Sequence, residues 1–424
     1  MRIAVVGLGQ IGLPLAVQYA SRGHDVVGCD VDTAVVDAVN VGRPPHPGEA
    51  EVDERLPNLV AAGRLRATTD DRQGVGGAEA VVIIVPVAVD EARQVDFGAI
   101  DAATRDVGAG IGPGTLVVFE TTLPVGTTRE RLTPVLARES GLTQEQDLFV
   151  AFSPERVLVG RVLTDLRRYP KVVGGIGPES SRRAAAFYEQ VLDVGTEIRT
   201  VSSAEAAEMT KLAETTYRDV NIALANEYAR FAAERGIDVM EVIDAANSQP
   251  YSHVHRPGVG VGGHCIPVYP YFLFADAPGF QLPPAARRVN DGMAGWAVAA
   301  AGEALGGLSG VPALVLGIAY RGDVREDAFS SAFALRDALR AAGAEVHGHD
   351  PYFSAEELRS RGFEPWQPGG ANPIRVAFLQ ADHAAYHELD LAAIAGLELV
   401  VDGRNALDPG AVRATGRRYL GIGR

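Results

Sequence analysis

Cysteine is almost missing from this chain: Cys29 and Cys265 are the only two in 424 residues. That excludes a disulfide framework. The two have no reason to pair, because Cys29 lies in an apolar strand pattern beside an N-terminal glycine motif. Both read as free thiols, which fits a reducing, cytoplasmic setting. Positive charge is also short. Lysine and arginine total 39 against 54 aspartates and glutamates, a formal net charge of -15, which argues against a broad nucleic-acid or anionic-membrane surface. Basic residues that hold an anionic ligand must therefore be few and local. Long apolar runs are missing as well: the longest, residues 80–89, is broken by Pro86 and reads as a buried strand rather than a membrane span. The apolar stretch after Met1-Arg2 is interrupted by glycines and no cleavage pattern follows it, so no signal peptide is expected. No metal site is expected either.

What the chain does have is apolar bulk, 47% of its residues, and a length that divides into two or three domains. Residues 2–6 form a short β-branched run. Gly7-Leu8-Gly9-Gln10-Ile11-Gly12 follows directly and leads into a helical pattern at residues 13–21. Strand, glycines and helix in that order let backbone amides and a helix N-terminus cradle a pyrophosphate. A second strand at residues 25–28 leads to Asp30, about twenty residues past the glycines, where a carboxylate meets the ribose 2'-hydroxyl and repels a 2'-phosphate. The cofactor expected is NAD. Strands at residues 80–85 and 116–120 flank a helix at 100–107, so strand and helix alternate as in a doubly wound parallel sheet. Their carboxyl ends carry Pro86 and Glu120-Thr-Thr-Leu-Pro-Val-Gly-Thr-Thr128, and a strand at 148–152 runs into Ser153-Pro-Glu-Arg156. Hydroxyls and a carboxylate thus converge where the nicotinamide is expected.

Residues 203–236 lack proline and interior glycine, open on a Ser/Glu capping pattern and predict one helix of roughly 50 Å at 1.5 Å per residue. Lys211, Thr215, Arg218 and Asn221 fall within about 120° of arc on it at ~100° per residue, a polar stripe that makes a candidate active-site wall. Cys265 follows in Gly258-Val-Gly-Val-Gly-Gly-His-Cys-Ile-Pro267, where four glycines in six positions are expected to clear the way for a ligand to reach the thiol. A last α/β sheet is expected from strands at 313–318, 344–348, 375–379 and 397–401 and a helix at 331–342. No second glycine motif opens it. Arg321, after Tyr320, and Arg404 stand at strand ends instead, where guanidinium groups suit a phosphate-bearing ligand.

Together these segments resemble the nucleotide-sugar 6-dehydrogenases, the family of UDP-glucose, GDP-mannose, UDP-N-acetylglucosamine and UDP-N-acetylmannosamine dehydrogenases. The likeness runs over essentially the whole chain. Residues 7–12 look like the family's cofactor loop, Thr121-Thr122-Leu-Pro its Ser-Thr-x-Pro segment, residues 153–156 its Pro-Glu segment and Lys211-Leu-Ala-Glu its helix lysine. Gly262-Gly-His264-Cys265 looks like its nucleophile loop, and residues 316–321 its nucleotide-binding strand. The resemblance implies an α/β fold of two Rossmann-like doubly wound sheets joined by a long central helix and helical dimerisation region. Its parts would be an NAD-binding domain at 1–200, a central domain at 201–300 with the catalytic lysine and cysteine, and a nucleotide-sugar domain at 301–424.

It also implies two NAD-dependent oxidations that take a C6 alcohol to a carboxylate. Lys211, or a water beside it, removes the hydroxyl proton, and Cys265 captures the aldehyde as a thiohemiacetal that becomes a thioester. Lys211 and Asn221 would stabilise the oxyanion, while Glu155 and Thr122 position the hydrolytic water. Expected cofactor contacts are Gly7, Gly9, Gln10, Ile11, Gly12, Asp30, Pro86 and Thr122. Expected substrate contacts are Glu155, Arg156, Lys211, Arg218, Asn221, Gly262, His264, Tyr320, Arg321 and Arg404. The Ser-Pro-Glu-Arg and Gly-Gly-His-Cys-Ile-Pro runs look closer to the enzymes for 2-acetamido sugars, which favours UDP-N-acetylmannosamine or UDP-N-acetylglucosamine over UDP-glucose or GDP-mannose. A homodimer or higher homo-oligomer is expected.

Four departures from the family pattern stand out. Tyr269 occupies the place of a usual aspartate, Thr215 that of an asparagine, Ala328 in Arg325-Glu-Asp-Ala328 the place of the usual arginine pattern, and Val87 that of a threonine. They leave open an enzyme that stops at the aldehyde or uses an unusual nucleotide sugar in specialised metabolism. A binding protein without turnover is the reading from another class, disfavoured because such a protein has no need of a thiol.

Overall fold

In the computed structural model, which describes every residue except 47, 91–92, 275–276, 278 and 371, the chain divides into two units. One is Met1–Glu214 with Tyr271–Asp276, the other Thr215–Pro270 with Ala277–Arg424. The first is built on an eight-stranded sheet. Its strands are β1 (Arg2–Val6), β2 (Asp25–Cys29), β3 (Leu65–Thr68), β4 (Ala80–Ile83), β7 (Thr115–Phe119), β8 (Leu148–Phe152), β9 (Lys171–Gly175) and β10 (Ile198–Thr200), while β5 (Ala88–Val89) and β6 (Val95–Asp96) form a small separate hairpin. The order is β10-β9-β8-β7-β4-β1-β2-β3. Strands β4, β7 and β8 are apolar almost without alternation and are buried at every position, as strands covered by helices on both faces must be.

The neighbours are parallel except at one place. Strand β9 runs antiparallel to β8, through Ala151↔Gly175 and Phe152↔Gly174. Its first residue, Lys171, therefore lies at the end of the sheet where β7 and β8 finish.

The long helix is observed as Ala204–Arg235, against 203–236 expected. It starts under a cap, the Ala206 amide donating to Ser203 Oγ at 3.2 Å. It stops at Gly236, whose φ of +66° a helix cannot continue. The division between the two units falls inside it.

The second unit holds a six-stranded parallel sheet in the order β13-β12-β11-β14-β15-β16. Its strands are β11 (Pro312–Leu316), β12 (Glu345–His349), β13 (Glu364–Pro365), β14 (Val376–Leu379), β15 (Leu399–Asp402) and β16 (Arg418–Gly421). The helix Ser331–Ala341 is capped by Ser330. Ala225, Ala229, Ala297 and Ala301 let helices pack closely over a core shared with Val315 and Val401 of the sheet. The fold is α/β with two Rossmann-like parallel-sheet layers and a long central helix, as expected. The strands that the sequence reading passed over, β3, β9, β10, β13 and β16, are short or lie toward sheet edges. Among the described residues no helix is long and apolar enough to cross a membrane.

Candidate functional site

The expected site residues fall into both units. In the first, the three glycines of residues 7–12 do different work. Gly7 has φ +96°, and a Cβ on it would stand 2.7 Å from the Ile84 carbonyl oxygen, while one on Gly12 would stand 1.8 Å from the Gly7 oxygen. Packing demands both. Gly9 has nothing within 4 Å of its would-be Cβ, so there the backbone is open to a pyrophosphate. Gln10 and Ile11 carry the chain into the helix Gly12–Ser21, whose N-terminal amides and dipole favour that negative charge. Asp30 lies just past β2, its two oxygens accepting the Leu8 and Asp32 amides at 2.7 and 2.9 Å. The carboxylate is thereby fixed beside the glycine turn, where a ribose diol can donate to it. Pro86 is exposed beyond β4. These residues fit NAD.

Asp30→Ala should raise the NAD Kd about 10- to 100-fold, since a hydrogen bond to a charged group contributes ~1.5–3 kcal/mol. Calorimetric titration with NAD and NADP checks it, and equal turnover of the two by the wild-type protein would remove the assignment.

Beyond β7, Thr122 is buried. The far end of its segment is held by Glu208 on the long helix, which accepts the Gly126 amide at 2.6 Å, the Thr128 amide at 2.8 Å and the Thr128 hydroxyl at 2.6 Å. One turn further along that helix, Lys211 donates from Nζ to the backbone oxygen of Glu155 at 2.5 Å. Arg156 pairs with Glu214 at 2.5 Å and donates to the Pro170 oxygen at 3.2 Å. The Glu155 side chain turns to a residue that the sequence reading did not single out: Lys171 Nζ stands 2.7 Å from Glu155 Oε2 and 2.8 Å from Glu120 Oε2. No motif marks that lysine.

In the second unit the cysteine loop is tied down along its length. The Gly258 amide donates to Asn226 Oδ1 at 2.9 Å and the Val259 amide to the Gly403 oxygen at 2.9 Å. Arg404 donates from Nη1 to the Gly260 oxygen at 3.1 Å, from Nη2 to Ser331 Oγ at 3.3 Å and from Nε to the Gln380 oxygen. Burial brings its guanidinium down to about 10, against the pull of Asp382 and Asp402.

The loop's glycines have a different cause from the one expected. A Cβ on Gly260 would stand 2.6 Å from Ser331 Cβ, one on Gly262 2.9 Å from Tyr320 Cβ, and one on Gly263 3.0 Å from the Tyr320 ring. They admit the protein's own side chains at close approach.

Cys265 itself is half-buried, and its carbonyl accepts the Tyr269 amide at 2.9 Å. His264 is 62% exposed, with Nε2 3.8 Å from Glu326 Oε2. Arg321 is exposed, and its Nε donates to the Tyr320 hydroxyl at 3.0 Å. Asn221 donates to the His253 oxygen at 2.8 Å and to the Tyr217 hydroxyl at 3.0 Å, and it accepts the His255 amide at 2.9 Å. Arg218 is half-buried on the same helix.

Geometry thus joins Glu155, Arg156 and Lys211 in one unit, and Gly262, Tyr320 and Arg404 around the cysteine loop in the other. Thr122 and Pro86 belong to the same unit, just past the ends of β7 and β4. Besides Lys171, the sequence reading missed Glu208, Asn226 and Ser331, ordinary polar residues whose only signal is their place in the fold.

The UDP-glucose/GDP-mannose dehydrogenase family matches in three stretches: its NAD binding domain over residues 1–192, its central domain over 205–291 and its UDP binding domain over 314–409. The chain is 36% identical over 435 aligned positions, 100% of its own length and 99% of the relative's, to a UDP-N-acetyl-D-mannosamine dehydrogenase of Pyrococcus horikoshii. The solved structure of a UDP-N-acetyl-mannosamine dehydrogenase from that organism matches with a TM-score of 0.91 at 34% identity, covering 100% of this chain and 99% of the other. An NDP-N-acetyl-D-galactosaminuronic acid dehydrogenase from Methanosarcina mazei matches with a TM-score of 0.85 at 32% identity, covering 100% and 95%.

Proposed function

The chain belongs to the UDP-glucose/GDP-mannose dehydrogenase family, and on that premise we propose that it oxidises the C6 alcohol of UDP-N-acetylmannosamine to the uronate, with UDP-N-acetylglucosamine as the alternative sugar. As a family member it is an NAD-dependent nucleotide-sugar dehydrogenase. The observation that carries the choice of sugar is the likeness, over the whole length of both chains, to a UDP-N-acetyl-D-mannosamine dehydrogenase.

NAD, held by the open backbone at Gly9 and by Asp30, supplies the hydride acceptor when bound. Lys211 takes the proton from the C6 hydroxyl, directly or through a water. The Cys265 sulfur then adds to the aldehyde carbon, and the oxyanion so formed, stabilised by Lys211 and Asn221, takes back the proton from Lys211 to become the thiohemiacetal hydroxyl. Loss of a second hydride and proton leaves a thioester on Cys265. Water placed by Glu155 and Thr122 attacks that carbonyl, breaking the C–S bond and releasing carboxylate and thiol. Covalent capture keeps the aldehyde from escaping between the two oxidations.

The nucleotide is placed at Tyr320 and Arg321, at the carboxyl end of β11, with Arg404 holding the loop beside them. The division 1–200, 201–300 and 301–424 is retained as the functional one, in a cytoplasmic homo-oligomer. Tyr217, Leu224, Tyr228 and Phe231, exposed at helical spacing on the long helix, support a second copy as the partner of that face.

Arg321→Ala should raise the Kd for UDP-N-acetylmannosamine about 10- to 100-fold while the NAD Kd stays within twofold, the loss of a charge-assisted contact to phosphate. Calorimetry with each ligand measures both, and an unchanged sugar-nucleotide affinity would move the nucleotide elsewhere.

A further inference from the structure

Among the described residues of the first unit, Lys171 is a buried cation that the reaction as described does not use. It is the first residue of β9. Because β9 runs back against β8, this lysine is delivered to the carboxyl ends of the parallel strands, where β7 gives way to Glu120 and the chain beyond β8 reaches Glu155. Two carboxylates meet one ammonium there. Lys171 Nζ donates to Glu120 Oε2 at 2.8 Å and to Glu155 Oε2 at 2.7 Å, and the three side chains are 5%, 0% and 10% exposed. The second Glu155 oxygen accepts the Arg156 amide at 2.8 Å, so the carboxylate is held at both ends.

The surroundings fix the ammonium as firmly as its partners do. Nζ stands 4.9 Å from the centre of the Tyr188 ring. The Tyr188 and Tyr19 hydroxyls both donate to Glu120 Oε1, at 2.5 and 3.2 Å. From the long helix, Lys211 donates to the Glu155 backbone oxygen, and the Arg156 guanidinium pairs with Glu214. Asp165, the other carboxylate on this side, is paired with Arg161 at 2.7 Å. Among the described contacts, Lys171 is the ammonium bonded directly to the Glu155 carboxylate.

We propose that Lys171 is a positioning residue of this active site: anchored from below by Glu120, it holds the Glu155 carboxylate ionised and in one orientation, and so sets the rate and pH dependence of thioester hydrolysis. The proposal rests on the reading that Glu155 positions the hydrolytic water.

The protonation pattern agrees with the geometry. Burial pushes the Glu120 carboxyl up to about 7 against the pull of Lys171. For Glu155 burial acts in the same direction, but the Lys171 ammonium and its hydrogen bond outweigh it and hold the carboxyl below its ordinary value. Burial works against the charge on Lys171, and the two carboxylates more than offset it. The pair of carboxylates shares one cation unequally: Glu155 stays charged, and Glu120 carries the proton until near neutrality.

Lys171→Met should leave the first NADH burst with UDP-N-acetylmannosamine within about threefold of wild type and slow steady-state turnover at least tenfold. The acid limb of its turnover–pH profile should move up by a unit or more, because burial then acts on the Glu155 carboxyl with no ammonium to oppose it. Lys171→Arg should restore both rate and profile, since a guanidinium can serve two carboxylates.

Where Lys171→Met does not fold, Lys171→Gln decides: its amide can still bond the carboxyls but brings no positive charge, so the acid limb should again move up. An unmoved limb in either variant overturns the proposal. Glu155→Gln separates the two levels. If it turns over as wild type does, the reading of Glu155 fails, whereas an impaired Glu155→Gln beside an unaffected Lys171→Met leaves that reading standing and removes Lys171.

Discussion

Cys265→Ser is expected to produce at most one NADH per sugar, or to stall as an ester, where the wild-type protein produces two and releases a uronate. A serine hydroxyl at neutral pH is a far weaker nucleophile than a thiolate, and an oxygen ester on it hydrolyses more slowly than a thioester. The first oxidation asks nothing of the sulfur, so it should survive. The loop gives this substitution a clean background: its hydrogen bonds run through the backbone at Gly258, Val259 and Gly260 and through Asn226 and Arg404, none of which depends on the Cys265 side chain. Intact-mass analysis during turnover should show an adduct on wild-type Cys265. A serine variant that makes uronate at the wild-type rate would make the cysteine structural and end this mechanism.

Lys211→Met should lower kcat by ~10²–10⁴, the usual worth of a general base, with a much smaller change in the Kd for the nucleotide sugar. Lys211 is buried on the long helix and bonded to the Glu155 backbone, so methionine fills its volume while removing both the base and that tether. Single-turnover measurement isolates the first hydride transfer, where the loss should already be complete. A variant defective only in the steady state would shift the base to another group and leave Lys211 as a support for Glu155.

Features set by neighbours in sequence were legible from the start. The glycine turn, Asp30 and the long helix each depend on local spacing, and each stands where the residues predicted. Chain reversals were not legible. Lys171 sits in a short apolar strand after a proline, and nothing in that stretch says the strand runs antiparallel; once it does, the lysine faces Glu120 and Glu155 across the sheet. The same blindness explains the cysteine loop. Its glycines were visible, but their cause, the Tyr320 ring and Ser331, arrives from more than fifty residues away, the distance in the chain from residue 262 to residue 320. Arg404 was marked as a strand-end cation that suits an anion, and its fork proves to hold the loop backbone at Gly260 against the Gln380 carbonyl at the end of β14.

Counting NADH against sugar consumed tests the account most directly. With wild-type protein, excess NAD and limiting UDP-N-acetylmannosamine, and parallel runs on UDP-N-acetylglucosamine, UDP-glucose and GDP-mannose, the account predicts two NADH per sugar for a 2-acetamido substrate and a uronate by mass spectrometry. One NADH per sugar with free aldehyde would contradict the second oxidation and point to Tyr269, where Tyr269→Asp is the variant to make; no NADH from any of the four would contradict the substrate class itself.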